Sequence, residues 1–423
     1  MRIVNILLAL VVSLGAFAQN YEIVSETKSN DGKYTAIVIN YESVDVDMVT
    51  PVTVSGLVTI PTSGTADCIL LDEHFTATDN PSVPSVNKGP YTYGGYITGR
   101  YVVVETDYIG YGLTSDRVHP YLCSNHSAQN SIDLAKIARK LIAERGVQLK
   151  ADMMFVTGYS QGGSVALCAH RLLDMNPELA KELHFAGSFC GGGAYDLPTV
   201  TKWYLDGDKS EDMSMAMIML YAARGFLTGM PELFAPGRQF SEFCSDRVNN
   251  SNVVKLMDEK KTNLIEMAIR VQLLCYGSKK VKDYVSADVM DPNSTLRKEM
   301  DAAAEANTFL DDWKPTTPLV IYHVVQDDII CIQNVYNAIN RLGMKRSDHI
   351  LINQPGASHI THLTQYYAQV NKLIDERINE YITGIKDVKE SNGNNGKCYD
   401  LNGRQVDESY RGIVVKNGKK VMQ

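Results

Sequence analysis

A six-residue segment, GYSQGG at positions 158–163, constrains the fold of this chain more than any other feature. It follows an apolar stretch that ends at Val156 and precedes a helix-forming stretch at 164–173. Its glycines allow a sharp turn from strand to helix, which lifts the hydroxyl of Ser160 out of a sheet and directs the helix N-terminus at a reacting oxygen. We predict that Ser160 is a nucleophile and that the backbone amide of Gln161 is an oxyanion donor. The alternative is a plain glycine-rich turn.

Short runs rich in Val, Ile and Thr predict strands on both sides of this segment. The predicted strands cover residues 34–41, 52–60, 68–71, 101–104, 153–156, 185–190, 319–325 and 350–352. Within 132–142, apolar residues recur at about the 3.6-residue helical period, which predicts the crossover helix that parallel strands require. The order of these elements predicts an α/β fold with a mostly parallel central sheet flanked by helices.

Strand-forming stretches are missing from 198–315, where we predict an inserted helical lid. Its predicted helices cover residues 213–226, 253–275 and 295–307. The core of the fold then comprises residues 19–197 and 316–384 and ends in a helix at about 361–381. Residues 385–423 predict a polar Gly/Asn linker and a short β-hairpin tail, in which two Asn-Gly pairs are typical hairpin turns.

The first residues have the features of a signal peptide. Arg2 is followed by an apolar stretch at 6–14 and by small residues at 16–18. We predict cleavage before Gln19 and therefore export to the periplasm, the cell surface or the medium. A membrane anchor is the weaker alternative, because the apolar run is too short to span about 30 Å of hydrocarbon. We expect no stable membrane insertion.

Composition excludes several classes of partner. The 423 residues include 41 Lys and Arg against 49 Asp and Glu, a net charge of −8, so a nucleic-acid partner is not expected.

Several of the eight cysteines lie inside apolar stretches, which favours buried free thiols. No CxxC pair or Cys/His ligand spacing occurs in the sequence, and we expect neither a metal nor an organic cofactor.

A serine nucleophile needs a base, and the histidines after the last predicted strand are the candidates. His359 lies in a loop directly after that strand, and His362 lies three residues further on, in the predicted first turn of the final helix. A loop can bring an imidazole over the sheet more easily than a helix can, which favours His359. His362 is the alternative.

The acid that orients the base is expected after the preceding strand, where Asp327 and Asp328 stand side by side. We predict that Asp327 accepts the second ring proton of the histidine. Asp328 is the alternative if the loop is one residue longer. A second oxyanion donor is expected after strand 68–71, from the amide of Phe75 or Thr76. The alternative is that this loop has no such role and that His74 only fixes it by hydrogen bonds.

Together these segments resemble the α/β-hydrolase fold and, within it, the secretory lipases and esterases of bacteria and fungi. Residues 107–113 (DYIGYGL) and 119–122 (HPYL) are similar to the family's D-Y-x-G-x-G and H-P-Y-L segments. Residues 323–331 (HVVQDDIIC) are similar to its H-G-x-x-D-x-x-V-P pattern, in which Asp327 takes the place of the acid. The chain departs from the family at Val324 and Phe75, where the family has glycine. The resemblance covers residues 52–381.

The resemblance implies a secreted serine hydrolase that cleaves carboxylic ester bonds of a small-molecule or acylated substrate through an acyl-enzyme on Ser160. One alternative is an exported serine peptidase of the same fold, since the same groups cleave amides. Another is a non-catalytic adhesion or binding module. The apolar side chains of the predicted lid either line an acyl pocket or form the core of a helical cap. The tail resembles the C-terminal segments of exported Bacteroidetes proteins, some of which serve type IX secretion, or else it is a small hairpin that docks on the core.

Overall fold

The computed structural model describes residues 20–90, 99–387, 398–400, 405–407, 413–416 and 419–422. The predicted signal peptide at 1–18 lies outside these residues. The chain divides into two compact units, of which the first ends at Ala368 and the second begins at Gln369.

A large sheet organises the first unit. The strands of this unit are β1 (Tyr21–Lys28), β2 (Tyr34–Val44), β3 (Pro51–Pro61), β4 (Thr65–Ala66), β5 (Ile69–Glu73), β6 (Val102–Thr106), β7 (Gln148–Leu149), β8 (Met154–Tyr159), β9 (Phe185–Gly191), β10 (Leu319–Val324) and β11 (His349–Ile352). Nine of them form one sheet in the order β1-β2-β3-β6-β5-β8-β9-β10-β11, and β4 pairs with β7. The pairs from β6 to β11 are parallel, whereas the pairs among β1, β2, β3 and β6 are antiparallel.

Every predicted strand is present, and the predicted α/β architecture with a mostly parallel sheet is confirmed. Strand β1 was not predicted. Among the described strands it pairs only with β2, and its side chains are exposed or half-buried, so it lacks the buried apolar face that makes a strand visible in a sequence.

Helices connect the strands of the first unit, and the last helix follows β11. They are α1 (Pro84–Asn87), α2 (Ser124–Glu144), α3 (Gln161–Asp174), α4 (Pro177–Glu182), α5 (Leu197–Leu205), α6 (Ile218–Gly229), α7 (Asp246–Asn249), α8 (Val253–Glu259), α9 (Leu264–Leu274), α10 (Ala287–Met290), α11 (Thr295–Ala306), α12 (Ile332–Leu342) and α13 (Leu363–Asp387), which continues into the second unit. The predicted crossover helix is α2; its Ile132 and Leu134 are buried in one cluster with Val58 and Leu71 of the sheet.

Helices α5 to α11 lie between β9 and β10 and form a second apolar cluster. Its buried members include Met217, Leu220 and Phe226 of the α6 region and Met267 and Val271 of α9. This cluster is distinct from the one that packs on the sheet, so the helical segment has a core of its own.

The prediction of one continuous helix at 253–275 is wrong, because the chain breaks it into α8 and α9. The break is at Lys260, whose backbone is left-handed with φ 46° and ψ 43°. Its ammonium donates hydrogen bonds to the carbonyl oxygens of Gly110 (2.6 Å) and Ser115 (2.9 Å) and to that of Arg117. Burial lowers the pKa of Lys260 to about 8. Hydrogen bonds from a charged group to three carbonyls offset the cost of leaving the helical conformation.

We predict that Lys260→Met lowers the free energy of unfolding by about 3 kcal/mol, because it leaves three carbonyl oxygens without their donor. The matched control is Lys255→Met on the same helix. The side chain of Lys255 is 72% exposed and meets Glu259 at 4.0 Å, so its loss is expected to cost less than about 0.5 kcal/mol. Urea titration of both variants measures the difference, and equal losses would contradict the role of Lys260.

The second unit contains the rest of α13 and four short strands. These are β12 (Cys398–Asp400), β13 (Gln405–Val406), β14 (Ile413–Lys416) and β15 (Lys419–Met422). They form an antiparallel sheet in the order β13-β12-β14-β15, and β14 and β15 make the predicted C-terminal hairpin. The predicted Gly/Asn linker at 390–396 lies outside the described residues.

All eight cysteines fall within the described residues, and each is buried, as predicted. Burial raises the pKa of the Cys123 and Cys168 thiols to about 12 and that of Cys275 to about 11. Among the described helices, each is either too short or too polar to cross a bilayer.

Candidate active site

The turn at Ser160 joins β8 directly to α3. Strand β8 ends at Tyr159 and α3 begins at Gln161, so the serine alone makes the turn, with φ 60° and ψ −122°. A residue with a side chain held at such angles costs about 1–3 kcal/mol and persists only where its surroundings enforce it. Here the Ser160 amide donates a 2.9 Å hydrogen bond to the carbonyl oxygen of Gly191 at the end of β9.

Three glycines make this turn sterically possible. A Cβ on Gly162 would lie 1.9 Å from the carbonyl oxygen of Glu73, and one on Gly163 would lie 2.2 Å from that of Gly191. A Cβ on Gly158 would lie 2.3 Å from the carbonyl oxygen of Gly162. Because backbone atoms lie on the other side of each contact, a side chain at any of the three would displace β5, α3 or β9.

The imidazole of His359 meets Ser160. His359 lies in the loop between β11 and α13, and its Nε2 is 2.9 Å from the Oγ of Ser160. Its Nδ1 is 2.7 Å from Oδ2 of Asp327, in the loop after β10. A carboxylate only accepts hydrogen bonds, so Nδ1 carries the ring proton and the Nε2 lone pair faces the serine hydroxyl.

The carboxylate of Asp327 is buried, and its hydrogen bonds and the charge of His359 offset the cost of burying it. Its Oδ1 accepts hydrogen bonds from the amides of Ile329 (2.9 Å) and Ile330 (2.7 Å). Burial raises the pKa of this carboxyl, but the charge and hydrogen bond of His359 more than offset it, and the net pKa lies below the ordinary value. Asp327 therefore stays ionised and accepts the Nδ1 proton.

Asp328 and His362, the alternative acid and the alternative base, have other partners. Asp328 accepts a 3.2 Å hydrogen bond from the backbone amide of His359 on Oδ1 and a 3.0 Å bond from the hydroxyl of Ser214 on Oδ2. His362 precedes α13, is buried, and has its Nδ1 3.2 Å from Oγ1 of Thr361. The structure thus brings the ring of His359, not that of His362, to the serine.

Tyr159 also fixes the loop that carries His359, a contact that the sequence did not indicate. Its hydroxyl donates a 2.7 Å hydrogen bond to the carbonyl oxygen of His359, and the two rings lie 5.1 Å apart. The residue directly before the serine therefore fixes the residue that carries the imidazole. Its place at the end of β8, inside GYSQGG, is the signal that could have identified it.

The residues predicted as oxyanion donors lie beside the serine. Gln161 is the first residue of α3, and the first amides of a helix have no partner within it.

Phe75 follows β5 by two residues and lines the same cavity as Ser160. Nδ1 of His74 lies 2.8 Å from the carbonyl oxygen of Phe75, and burial lowers the pKa of His74 to about 4, so a neutral ring contacts this loop. The hydroxyls of Thr76 and Tyr121 lie 2.9 Å apart.

A cavity of about 420 Å³ opens beside Ser160 and His359. Most of its lining side chains are apolar. The helical segment contributes Leu197, Val200, Tyr204, Met215, Ile218, Met219 and Ala222. Met213 and Met217 do not line the cavity, and all four methionines at 213, 215, 217 and 219 are buried in the core of the segment. Met215 and Met219 therefore belong both to this core and to the wall of the cavity.

Comparison with known proteins decides the family. The model of the secretory lipase family matches residues 94–380, which is more than half of the chain. The chain belongs to the secretory lipase family. As a member of this family it is a serine hydrolase that acts on ester bonds, in agreement with the sequence-based expectation. No curated protein sequence matches it.

Solved structures similar to this chain confirm the α/β-hydrolase fold. The rice cell wall degrading esterase LipA from Xanthomonas oryzae is 21% identical, with a TM-score of 0.67, and the match covers 85% of this chain and 98% of LipA. Candida antarctica lipase A in its closed state is 16% identical, with a TM-score of 0.59, and the match covers 86% of this chain and 84% of that lipase.

A buried acid lies beneath the serine turn of this lipase. Glu73, the last residue of β5, accepts hydrogen bonds on Oε2 from the hydroxyls of Tyr108 (3.1 Å) and Ser131 (2.8 Å). Its Oε1 has no partner among the described residues. Burial is the largest cause that raises the pKa of Glu73 to about 8, so the group is protonated at neutral pH.

We predict that Glu73 makes stability fall as the pH rises. The folded chain holds this proton up to a pKa of about 8, whereas the unfolded chain releases it near the ordinary 4.5. Between these values the folded state binds more protons, so the free energy of unfolding drops by at most about 1.4 kcal/mol per pH unit. Glu73→Gln, which cannot titrate, should show a flatter profile in urea titrations between about pH 5 and 8. Glu178→Gln, at an exposed position, is the control, and parallel profiles for the wild type and Glu73→Gln would refute the assignment.

Proposed function

We propose that this chain cleaves carboxylic esters through an acyl-enzyme on Ser160, with His359 as base and then acid and Asp327 as the residue that orients it. The observation that supports this most is the continuous hydrogen-bonded line from Asp327 through His359 to Ser160, with distances of 2.7 Å and 2.9 Å. The line ends at an apolar cavity large enough for a small ligand.

In the first half of the proposed reaction, Ser160 Oγ attacks the ester carbonyl as its proton passes to Nε2 of His359. The carbonyl oxygen takes the negative charge, and the backbone amides of Gln161 and Phe75 donate hydrogen bonds to it. The C–O bond to the alcohol then breaks, and the imidazolium gives its proton to the departing alkoxide.

In the second half, water replaces the alcohol. His359 takes a proton from the water as it attacks the acyl carbon, and returns that proton to Ser160 Oγ when the acid leaves. Throughout, the ionised Asp327 stabilises the imidazolium without becoming protonated itself. Its low pKa suits this role.

The chemistry of the cavity favours an ester with an apolar acyl group. Among the described residues that line it, none is Asp, Glu, Lys or Arg, so a peptide ammonium or carboxylate would be buried without an opposite charge. We therefore favour the esterase over the serine peptidase. The short Ser160–His359 contact disfavours a purely non-catalytic binding module.

We propose that residues 198–315 act as a lid over this site, since their side chains from α5 and α6 line the cavity. Export is part of the same proposal. It rests on the signal-peptide features of residues 1–18 and on membership of a family of secretory lipases.

We predict that Ser160→Ala lowers kcat for a short p-nitrophenyl ester by at least about 10⁴-fold, because the nucleophile is lost. The release of p-nitrophenol gives the rate. Ser164→Ala is the matched control one helical turn away; its hydroxyl is bonded to Ala194 rather than to an imidazole. Turnover by Ser160→Ala with an unchanged circular dichroism spectrum would mean that another group is the nucleophile.

The two histidines separate the proposed base from its neighbour. His359→Ala should reduce kcat by at least about 10³-fold, whereas His362→Ala should leave it within about tenfold, since only the ring of His359 meets Ser160. Both variants are measured with the same ester across pH. The reverse ranking would transfer the role of base to His362.

A series of substrates tests both which bond is cleaved, ester or amide, and which acyl group is preferred. We expect kcat/KM to rise as the acyl chain of a p-nitrophenyl ester lengthens, by about threefold to fourfold per methylene until the cavity is full. Aminoacyl p-nitroanilides should be turned over poorly. A preference for the aminoacyl amides would support the peptidase instead.

A further inference from the structure

The side chain of Gln161 is held by a histidine that takes no part in the proposed proton transfers. Nε2 of Gln161 lies 2.7 Å from Nε2 of His119, and both side chains are buried. The other polar atom of the amide, Oε1, is buried without a hydrogen-bond partner among the described residues. The contact with His119 is therefore what fixes this amide.

The protonation of His119 follows from its second contact. Its Nδ1 lies 2.7 Å from the carbonyl oxygen of Ile109, which can only accept, so Nδ1 carries the proton. Nε2 then has a lone pair, and the amide of Gln161 donates to it. Burial lowers the pKa of His119 to about 3, which keeps the ring neutral and the acceptor available at any working pH.

The ring of His119 is itself fixed from several sides. It is stacked on Tyr108 at 5.9 Å with an interplanar angle of 10°, and the rings of Tyr111 and Tyr121 lie 5.1 Å and 6.1 Å away. The backbone of His119 passes Gly110 so closely that a Cβ on that glycine would lie 2.5 Å from it. The imidazole therefore cannot turn to another partner without a rearrangement of the loop.

From these contacts we infer that His119 is a positioning residue for ester hydrolysis, which fixes the oxyanion-binding amide of Gln161 through that residue's side chain. The inference rests on the proposed function. The backbone amide and the side chain belong to one residue, directly after the strained Ser160, so a side chain fixed at its end restricts the first turn of α3. The role is distinct from proton transfer, because His119 contacts neither Ser160 nor His359 by any hydrogen bond in the described structure.

His119→Leu tests this role. It removes the acceptor, and the expected result is a fall in kcat of about 10-fold to 100-fold with a change in KM of less than about threefold, because an oxyanion bond strengthens only in the transition state. The rate of inactivation by a p-nitrophenyl phosphonate, whose adduct carries an oxyanion, should fall in parallel. His119→Gln, whose Oε1 can accept from Gln161, should recover part of the lost kcat.

His126→Leu is the matched control. His126 is a buried histidine of α2 whose Nε2 lies 3.4 Å from Oγ of Ser127, and it does not line the cavity. Its loss should lower the melting temperature without a selective loss of kcat or of phosphonate reactivity. If both leucine variants lose kcat to the same degree, His119 has only a structural role and the inference is wrong.

Gln161→Met keeps the test decisive if His119→Leu fails to fold. It retains the backbone amide and removes the contact from the other side, so it should show the same loss of kcat; a kcat within about twofold of the wild type would overturn the inference. Failure of the proposed function gives a different result, namely turnover that survives Ser160→Ala. Turnover that needs Ser160 but tolerates Gln161→Met would overturn the role of His119 alone.

Discussion

The site depends on one backbone constraint, the positive φ of Ser160 between β8 and α3. A serine can hold that conformation only because glycines at 158, 162 and 163 let three backbone segments approach within contact distance. These contacts join the end of β5, the start of α3 and the end of β9. The same constraint exposes the hydroxyl and places the first amide of the helix beside it, so the proposed nucleophile and the proposed oxyanion donor have a common cause.

The parallel sheet brings the remaining groups to the same edge. Strands β5, β8 and β10 each end in a loop that carries a predicted site residue, and β11 is followed by the loop with His359. Carboxyl ends of parallel strands meet at one edge, so residues separated by about two hundred positions along the chain can share a hydrogen bond. This is why strand order alone places the candidate acids, Asp327 and Asp328, and the candidate bases, His359 and His362, at the same edge as Ser160.

Side-chain contacts within that edge could not be predicted in the same way. Choosing between Asp327 and Asp328 requires the conformation of a loop, and in the structure adjacent carboxylates bind the ring and the backbone amide of one histidine. The contact between His119 and Gln161 joins a loop to the first turn of α3, 42 positions further along the chain. The break at Lys260 likewise depends on carbonyls of residues 110–117, which no helical periodicity in 253–275 reveals.

Apolar patterning predicted the strands well because most of them are buried on both faces, and it failed at β1, which is an exposed edge. In the helical segment, the same patterning identified apolar helices but not which side chains face the cavity. Met215 and Met219 line the cavity, whereas Met213 and Met217 do not, although all four belong to one run of residues and to one buried core. Only the packing of α5 and α6 decides between the two.

The burial of all eight thiols determines where reagents that attack cysteine can label this chain. A thiol reacts with maleimides and disulfide reagents only where the reagent can reach it, and burial keeps these thiols away from solvent in the folded state. A cysteine placed on an exposed position would then be the reactive one under native conditions. Fluorescent or spin labels can therefore be attached at chosen surface sites without first removing the native cysteines, and the native thiols become accessible to such reagents only when the chain opens.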